Sequence, residues 1–539
     1  MTNDNAVLSD HSLSVASELL VNVARPELFI AIVAPIGVDG ASVHQALYKS
    51  LMAVGYETST IKVTSLMKGI PTGVKLEESP IERRYTSYIA FANRVREMLN
   101  IRKDKVAGND SLAMLAVGAI MEARAFHTDS KTKPCAGRAY ILDQFKRPEE
   151  IALLRRLYGR LFVQISVHAT KDTRRENLKR LIKSSHPADN ISDYSAEAEG
   201  LIRQDLSEEN HAHGQRVRDT FPMADVIVDG NDRAKIEHDV DRFIRLLFGN
   251  NFITPTHDEY GMYIAKAAAL RSADLSRQVG AAIFSEDGEV VTLGSNEVPK
   301  SGGGTFFEGD KPDLRDFVQG NDYNEQEKRG IVWEFVKRLD DAKCLTLPDH
   351  AGPFNDLASK VAFVLEGDSG PQLINARVMD LLEFGRQIHA EMNAICDAAR
   401  LGKAIKGTTL FCTTFPCHMC AKLILGAGIR RVVYIEPYPK SYAEEMYSKL
   451  IAVDSSPVAG ENRVHFQPFT GVAPFRYRDL FEKRRRKDSK GKAQEWMMDP
   501  KRPNLNLIVE TYISLEPQVM VELARRLAAA ELPLATEQQ

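Results

Sequence analysis

The sequence predicts an α/β protein with two main domains, a parallel α/β domain followed by an α/β/α domain. In the first half, short apolar runs alternate with helical stretches, a pattern typical of a parallel sheet. The second half begins with a helix and a hairpin and then alternates helices with strands. The 539 residues also exceed what a single hydrophobic core usually holds.

The composition is that of an ordinary globular protein. Apolar residues make up 44% of the chain and charged residues 27%, and the net charge of −3 gives no field that would draw the protein onto nucleic acid. The six cysteines are too few for a disulfide framework. The chain shows neither a signal-peptide pattern nor an apolar run of the roughly 20 residues that a membrane helix needs. We therefore expect a cytoplasmic protein that does not enter a membrane.

Four apolar runs predict the strands of the first domain, which we assign to residues 1–250. These runs are 27–34, 139–143, 161–166 and 224–229. The break in the helical pattern at 249–256 marks the domain boundary.

A turn that contains glycine follows the first predicted strand and leads into a helix, which is the context of a phosphate-binding loop. Gly40 and Ser42 match the pattern G-x-x-x-x-G-K-[ST], but Pro35 replaces the first glycine and Ala41 replaces the lysine. Because that lysine is the main cation for the β- and γ-phosphates, we do not expect phosphoryl transfer. Two alternatives remain for this loop: it still binds a nucleotide, or it belongs to an α/β scaffold that has lost its phosphate site.

Asp143 ends the second predicted strand, where P-loop proteins carry the aspartate that helps to hold Mg²⁺. This half therefore resembles a P-loop nucleotide kinase with an altered loop. The resemblance implies a nucleotide site, with Mg²⁺, formed by Gly37, Gly40, Ser42 and Asp143.

One histidine and two cysteines in the second half form a set of zinc ligands. They are His389, Cys417 and Cys420. Imidazole and thiolate groups suit zinc, and three protein ligands leave the fourth tetrahedral position for water, as in catalytic sites. A structural zinc site and a chance grouping of buried cysteines are the alternatives.

Glu391 and Pro416 favour the catalytic interpretation. Glu391 lies two residues after the histidine, close enough to move protons without ligating the metal. Pro416 directly precedes the first cysteine and suits the first position of a helix. The combined pattern, H-x-E followed by P-C-x-x-C, is typical of zinc nucleobase deaminases. The sequence thus predicts Glu391 as the proton carrier.

The order of predicted elements places both halves of this pattern at the starts of helices over one sheet. The elements are a helix at 258–276, a hairpin at 279–293, a helix from about 389, a strand at 407–413, a helix at 417–426 and a strand at 430–435.

Residues 255–480 resemble the cytidine and deoxycytidylate deaminase family, with an insertion at about 300–385. The turn 294–299 is similar to the G-x-N-x-x-P turn of the deoxycytidylate branch. The resemblance implies a cytidine-deaminase-like α/β/α fold, a sugar contact for Asn296 and a place near the base for Tyr438. Residues 481–539 are left as a basic segment and a C-terminal tail.

A P-loop-like half joined to such a half resembles the bacterial anti-phage deoxycytidine nucleotide deaminases. The resemblance implies zinc-dependent deamination of free dCMP and/or dCTP, which depletes the pool during phage infection. It also implies a homo-oligomer and, in some members, inhibition by a small RNA.

Two other functions stay open. The first is deamination of single-stranded DNA or RNA, for which the basic run at 483–492 is the main argument. The second is a regulatory protein whose N-terminal half senses nucleotide or RNA and gates the deaminase.

Overall fold

The chain folds into two compact α/β units. In this computed structural model, the described residues are 25–100, 108–186, 193–206, 208, 211–347, 356–366, 373, 376–438, 440–455, 462–483, 485–497, 501–505 and 511–530. Unit 1 comprises residues 1–259 and 470–539, and unit 2 comprises residues 260–469. Each unit contains a sheet rich in parallel pairs, which confirms the predicted α/β class.

The described residues contain twelve strands. They are β1 (Leu28–Val33), β2 (Glu57–Lys62), β3 (Arg138–Asp143), β4 (Phe162–His168), β5 (Val226–Asp229), β6 (Gly280–Phe284), β7 (Val290–Ser295), β8 (Thr409–Thr414), β9 (Arg431–Glu436), β10 (Ile451–Val453), β11 (Val464–Pro468) and β12 (Gly471–Val472).

The sheet of unit 1 has the strand order β12-β5-β4-β1-β3-β2. Strands β1 to β5 are parallel, and β12 is antiparallel to β5. Every residue of β1 is buried, as expected for a central parallel strand that helices cover on both faces. The longer helices of this unit are Gly40–Ala53, Ile81–Met98, Ser111–Thr128, Pro148–Tyr158, Lys171–Ser184, Ser195–Leu206, Arg233–Leu247, Pro474–Phe481 and Tyr512–Ala529. Its shorter helical turns are Val63–Leu66, Met67–Gly69, Gly159–Leu161, Val217–Thr220 and Phe221–Met223.

The C-terminal segment forms part of unit 1, whereas the sequence division left residues 481–539 as a separate tail. Strand β12 extends the sheet, and Leu480, Leu505 and Tyr512 lie in the same hydrophobic core as β1. The described part of the basic run at 483–492 forms a turn, and Arg486 donates a hydrogen bond to the carbonyl oxygen of Asn251. Apolar residues after position 470 thus complete a core that begins at residue 28.

A buried ionic network joins the C-terminal helix to the rest of unit 1. Arg124 lies between Glu27 and Glu516, and all three side chains are fully buried. Tyr512 donates a hydrogen bond to Glu27 over 2.7 Å, and Tyr158 donates one to Glu516 over 3.0 Å. Removing one member would leave a buried charge without its partner. This lowers the free energy of unfolding more than the loss of an exposed ion pair does.

We predict that Glu516→Gln lowers the free energy of unfolding of unit 1 by about 3–5 kcal/mol, because Arg124 loses half of its compensating charge. Glu522→Gln is the matched control, since Glu522 lies in the same helix but pairs with Arg525 and Arg526 near the surface. That variant should lose less than about 1 kcal/mol. Urea titration followed by circular dichroism measures both, and equal losses would contradict the assignment.

The sheet of unit 2 has the strand order β10-β11-β9-β8-β6-β7. Strands β8, β9, β11 and β10 are parallel, whereas β6 is antiparallel to both β7 and β8. The helices associated with this unit are His257–Ala269, Asp316–Gln319, Tyr323–Asp341, Leu357–Glu366, Arg377–Asp380, Ala390–Arg400, His418–Ala427 and Ala443–Met446. In the described parts of both units, no helix has the length and apolar character needed to span a bilayer.

Gly294 allows the helix Ala390–Arg400 to lie directly on β7. A Cβ at this position would lie 2.0 Å from the carbonyl oxygen of Ala390. Thr292, two residues earlier on the strand, donates a hydrogen bond to the carbonyl oxygen of Ala394 over 2.9 Å. The first turn of this helix is therefore fixed against the strand backbone.

Gly294→Ala should force this helix away from β7 and destabilise unit 2 by about 1–3 kcal/mol or more, because backbone rather than a flexible side chain blocks the methyl group. Gly426→Ala is the control, since a Cβ there meets no atom within 4 Å and the residue lies inside the helix His418–Ala427. The control should be neutral or slightly stabilising. Thermal unfolding compares the two, and a tolerated Gly294→Ala would contradict this packing.

Candidate metal centre

The structure brings the three predicted ligands together in unit 2. The Nδ1 atom of His389 lies 3.3 Å from the sulfur of Cys417 and 3.4 Å from that of Cys420. All three ligand atoms lie within 4.8 Å of one another, and no other group of three or more potential ligands comes together in the described part of the chain. The two cysteines are buried and the histidine is half-buried.

This arrangement fits a zinc ion. Zinc bonds of about 2.0 Å to nitrogen and 2.3 Å to sulfur, at tetrahedral angles, would separate a nitrogen from a sulfur ligand by roughly 3.5 Å. The observed nitrogen–sulfur distances of 3.3 and 3.4 Å are close to that value. A histidine and two thiolates are also the donor set that suits zinc, and three protein ligands leave one coordination position open.

Two helix starts position the ligands. His389 is the residue before the helix Ala390–Arg400, and Cys417 is the N-cap of the helix His418–Ala427. The sulfur of Cys417 accepts a hydrogen bond from the backbone N–H of Cys420. Pro416 therefore precedes the N-cap. The sequence-based expectation that it is the first residue of the helix is wrong. The sulfur of Cys417 takes the capping role instead.

The ligand side chains shift one another's pKa values through hydrogen bonds and charge. The hydrogen bond from Cys420 holds the pKa of the Cys417 thiol well below its usual range, and His389 adds to this effect. Burial opposes a charge on His389, but its hydrogen bond to Cys417 and the negative charges of Cys417 and Glu391 together outweigh burial and raise the pKa of the imidazole. A thiolate is the form of cysteine that ligates metals, so Cys417 is prepared for a cation.

Glu391 lies in the first turn of the helix that follows His389 and is only 4% exposed. Burial raises the pKa of its carboxyl group, and the negative charge of Cys417 raises it further. A carboxyl group whose pKa lies above its ordinary value can hold a proton nearer to neutral pH, as a general acid and base must.

A cavity of about 450 Å³ opens next to these residues. His389, Glu391 and Cys417 line it together with Asn296, Thr414, Phe415 and Tyr438. Its volume falls within the range of small-molecule sites. The insertion supplies part of the wall, through the start of the helix Tyr323–Asp341 and the segment 379–387.

Asn296 lines the cavity but also holds the backbone beside it. Its Oδ1 atom accepts a hydrogen bond from the N–H of Val279 over 2.7 Å, and its Nδ2 atom donates one to the carbonyl oxygen of Arg277 over 2.8 Å. An amide group can make further hydrogen bonds, so these two leave capacity for a ligand. The predicted sugar contact stays a proposal.

Arg277 and Lys328 are cavity residues that the sequence reasoning missed. The guanidinium of Arg277 lies 4.8 Å from the ring centre of Tyr438, and no carboxylate of the described residues forms an ion pair with it. The hairpin register could have indicated Arg277, because β6 and β7 bring it next to Asn296. No local pattern marks Lys328, which lies on a polar helix inside the insertion.

The predicted nucleotide site in unit 1 is not supported by the contacts of its residues. Asp39, not a phosphate, caps the helix Gly40–Ala53 and accepts hydrogen bonds from both the N–H and the hydroxyl of Ser42. Asp143 lies 3.1 Å from the imidazole of His44. With Ala41 at the lysine position, these contacts give no support to a nucleotide with Mg²⁺, because the lysine that P-loop proteins place there is missing.

Comparison with known proteins finds similarity around the metal centre. Residues 255–436 match the cytidine and deoxycytidylate deaminase zinc-binding region. The deoxycytidylate deaminase of Enterobacteria phage T4 is 51% identical over 55 residues, which are 10% of this chain and 28% of that protein. The deoxycytidylate deaminase of Mus musculus is 27% identical over 177 residues, or 33% of this chain and 63% of that protein.

These relatives are matched over only part of their length, and the first of them over less than a third. Among solved structures, the dCMP deaminase of cyanophage S-TIM5 in complex with dCMP and dUMP aligns at 18% identity and a TM-score of 0.22. That alignment covers 40% of this chain and all of the phage chain.

We predict one zinc ion per chain, bound through the three ligands. Cys417→Ala and Cys420→Ala should each lose most of the metal, because two ligands hold zinc poorly. Cys396→Ala is the matched control, since this cysteine is exposed on the helix that follows His389. Metal content measured by inductively coupled plasma mass spectrometry distinguishes them. Equal zinc in all three variants would contradict the assignment.

Proposed function

We propose that this protein is a zinc-dependent hydrolase that deaminates the cytosine of free deoxycytidine nucleotides, dCMP and/or dCTP. The products are the deoxyuridine nucleotide and ammonia. The observation that carries the proposal is the grouping of His389, Cys417 and Cys420 with the buried carboxyl group of Glu391 at one cavity wall. This combination of ligands and proton carrier is the one that nucleobase deamination requires.

Different groups at the cavity would activate water, transfer protons and pack against the base. Zinc, when bound, supplies the Lewis acidity that makes water nucleophilic near neutral pH. Glu391 takes one proton from the attacking water and delivers it to the ring nitrogen, and it then carries the second proton of that water to the departing amine. Its burial keeps bulk water from competing for that proton. Phe415 and Tyr438 provide apolar surface next to the base.

The charges around the cavity favour a free nucleotide over a nucleic acid strand. Arg277 offers a planar cation of the kind that binds phosphate oxygens. Lys328 and Lys440 also line the cavity, but they pair with Glu325 and Asp380. A polynucleotide needs a continuous basic groove, and the carboxylates that line this cavity would repel its phosphates.

Several further expectations accompany the proposal and rest on the sequence resemblance alone. They are a role in anti-phage defence, a homo-oligomeric state, inhibition by a small RNA and regulation of the deaminase by the N-terminal half. The preference between dCMP and dCTP depends on the cavity instead, since Arg277 can receive one phosphate and further phosphates must displace the carboxylates that pair with Lys328 and Lys440.

The test is a substrate panel. Purified protein is incubated with dCMP, dCTP, CMP, CTP, deoxycytidine and a cytosine-containing single strand, and the uracil product is quantified. We expect turnover of dCMP or dCTP and none of the strand. Glu391→Gln should retain zinc but lose activity by about 10²-fold or more, because it removes the proton carrier and no ligand.

Turnover of the strand alone would overturn the substrate assignment. An active Glu391→Gln variant with normal zinc content would overturn the role of Glu391, and loss of zinc from that variant would show that this residue supports the metal site instead.

A further inference from the structure

In unit 1, the loop that follows β1 forms its polar contacts with the protein itself. The backbone N–H of Ile36 donates a hydrogen bond to Oδ2 of Asp205 over 2.6 Å. The ammonium of Lys146 donates to Oδ1 of the same carboxylate over 2.8 Å and to the carbonyl oxygen of Ala34 over 2.7 Å. Asp205 is 1% exposed and Lys146 is 8% exposed.

These contacts are those that a bound phosphate would make. A phosphate group in such a loop accepts hydrogen bonds from backbone N–H groups and pairs with a lysine ammonium. Here a carboxylate accepts the N–H of Ile36 and pairs with Lys146. The lysine missing at position 41 is thus replaced by one that follows β3, and the anion comes from the helix Ser195–Leu206.

The two helices Lys171–Ser184 and Ser195–Leu206 cover the loop. Ile36 packs in one apolar cluster with residues of both helices. Asn177 donates a hydrogen bond to the carbonyl oxygen of Gly37 over 2.9 Å. A Cβ at Gly37 would lie 2.7 Å from the carbonyl oxygen of Arg174, so the backbone of the loop packs directly on the backbone of this helix. The loop backbone is therefore in close contact with the helix Lys171–Ser184.

We infer that this loop is an anion-binding site that Asp205 fills, with Lys146 as its cation. The site takes the phosphate class of ligand only when the carboxylate is removed or displaced. The inference concerns unit 1 alone and is independent of the deaminase proposal.

Replacement of the carboxylate by a neutral isostere tests this directly. Asp205→Asn keeps the shape of the side chain but leaves Lys146 as a buried charge without a counter-ion. We expect the unfolding transition of unit 1 to fall by roughly 5–15 °C in chloride buffer. Inorganic pyrophosphate, compared at constant ionic strength, should restore most of that loss in the variant and change the wild type little.

Two controls separate anion binding from general stabilisation. Asp205→Asn combined with Lys146→Met removes both charges and should show no response to pyrophosphate. Asp225→Asn also breaks a buried ion pair of unit 1, with Arg155 and Arg476, but Asp225 precedes β5 and so lies at the opposite end of the parallel strands from the loop that follows β1. The Asp225→Asn variant should be destabilised, and pyrophosphate should not restore its unfolding temperature. Differential scanning calorimetry measures all four proteins.

Calorimetric titration of the folded proteins with pyrophosphate gives the second readout. We expect binding to Asp205→Asn at least about tenfold tighter than to the wild type. Equal binding by the wild type, or rescue of Asp225→Asn and the double variant to the same extent, would overturn the inference. If Asp205→Asn does not fold, tight pyrophosphate binding by the wild type would still overturn it, and its absence would support it.

Discussion

The metal centre depends on two helices whose N-termini lie close together. His389 and Cys417 each precede the first residue of a helix, and the sheet below must hold both starts within a few ångströms. On one side, the missing side chain of Gly294 lets the helix Ala390–Arg400 rest on β7. On the other side, β8 leads into the cysteine helix through residues 415–417. The ligand distances, the burial of Glu391 and the cavity all follow from this constraint.

The chemical state of the site follows from the same proximity. Hydrogen bonds with Cys420 and His389 hold the pKa of the Cys417 thiol below its usual range, and burial raises the pKa of the Glu391 carboxyl, which makes it a better proton acceptor. Part of the cavity wall comes from the insertion, whose helix Tyr323–Asp341 contributes Lys328. The three ligands, Glu391 and these wall residues all lie within residues 255–436, the part of the chain that matches the deaminase zinc-binding region.

The sequence predicted the parts whose signals are local. Apolar runs marked β1, β3, β4 and β5, and the H-x-E and P-C-x-x-C spacing marked the ligands that the structure brings together. It did not predict β2, because this edge strand buries only one of its six residues fully. It also missed the return of the C-terminal segment into unit 1, since the pairing of Arg124 with Glu516 joins residues 392 positions apart. The contact of Asp205 with the loop is equally non-local, so the loop pattern alone suggested a ligand where the protein supplies its own anion.

Isotope labelling tests the central claim, hydrolytic deamination at the zinc centre, most directly. The protein would convert dCMP or dCTP in oxygen-18-labelled water, with mass spectrometry of the nucleotide product and parallel measurement of ammonia. The account predicts one labelled oxygen in the uracil ring and one ammonia for each product, with both lost after removal of zinc and regained when zinc is restored. A product without label, or unchanged turnover by the zinc-free protein, would contradict it.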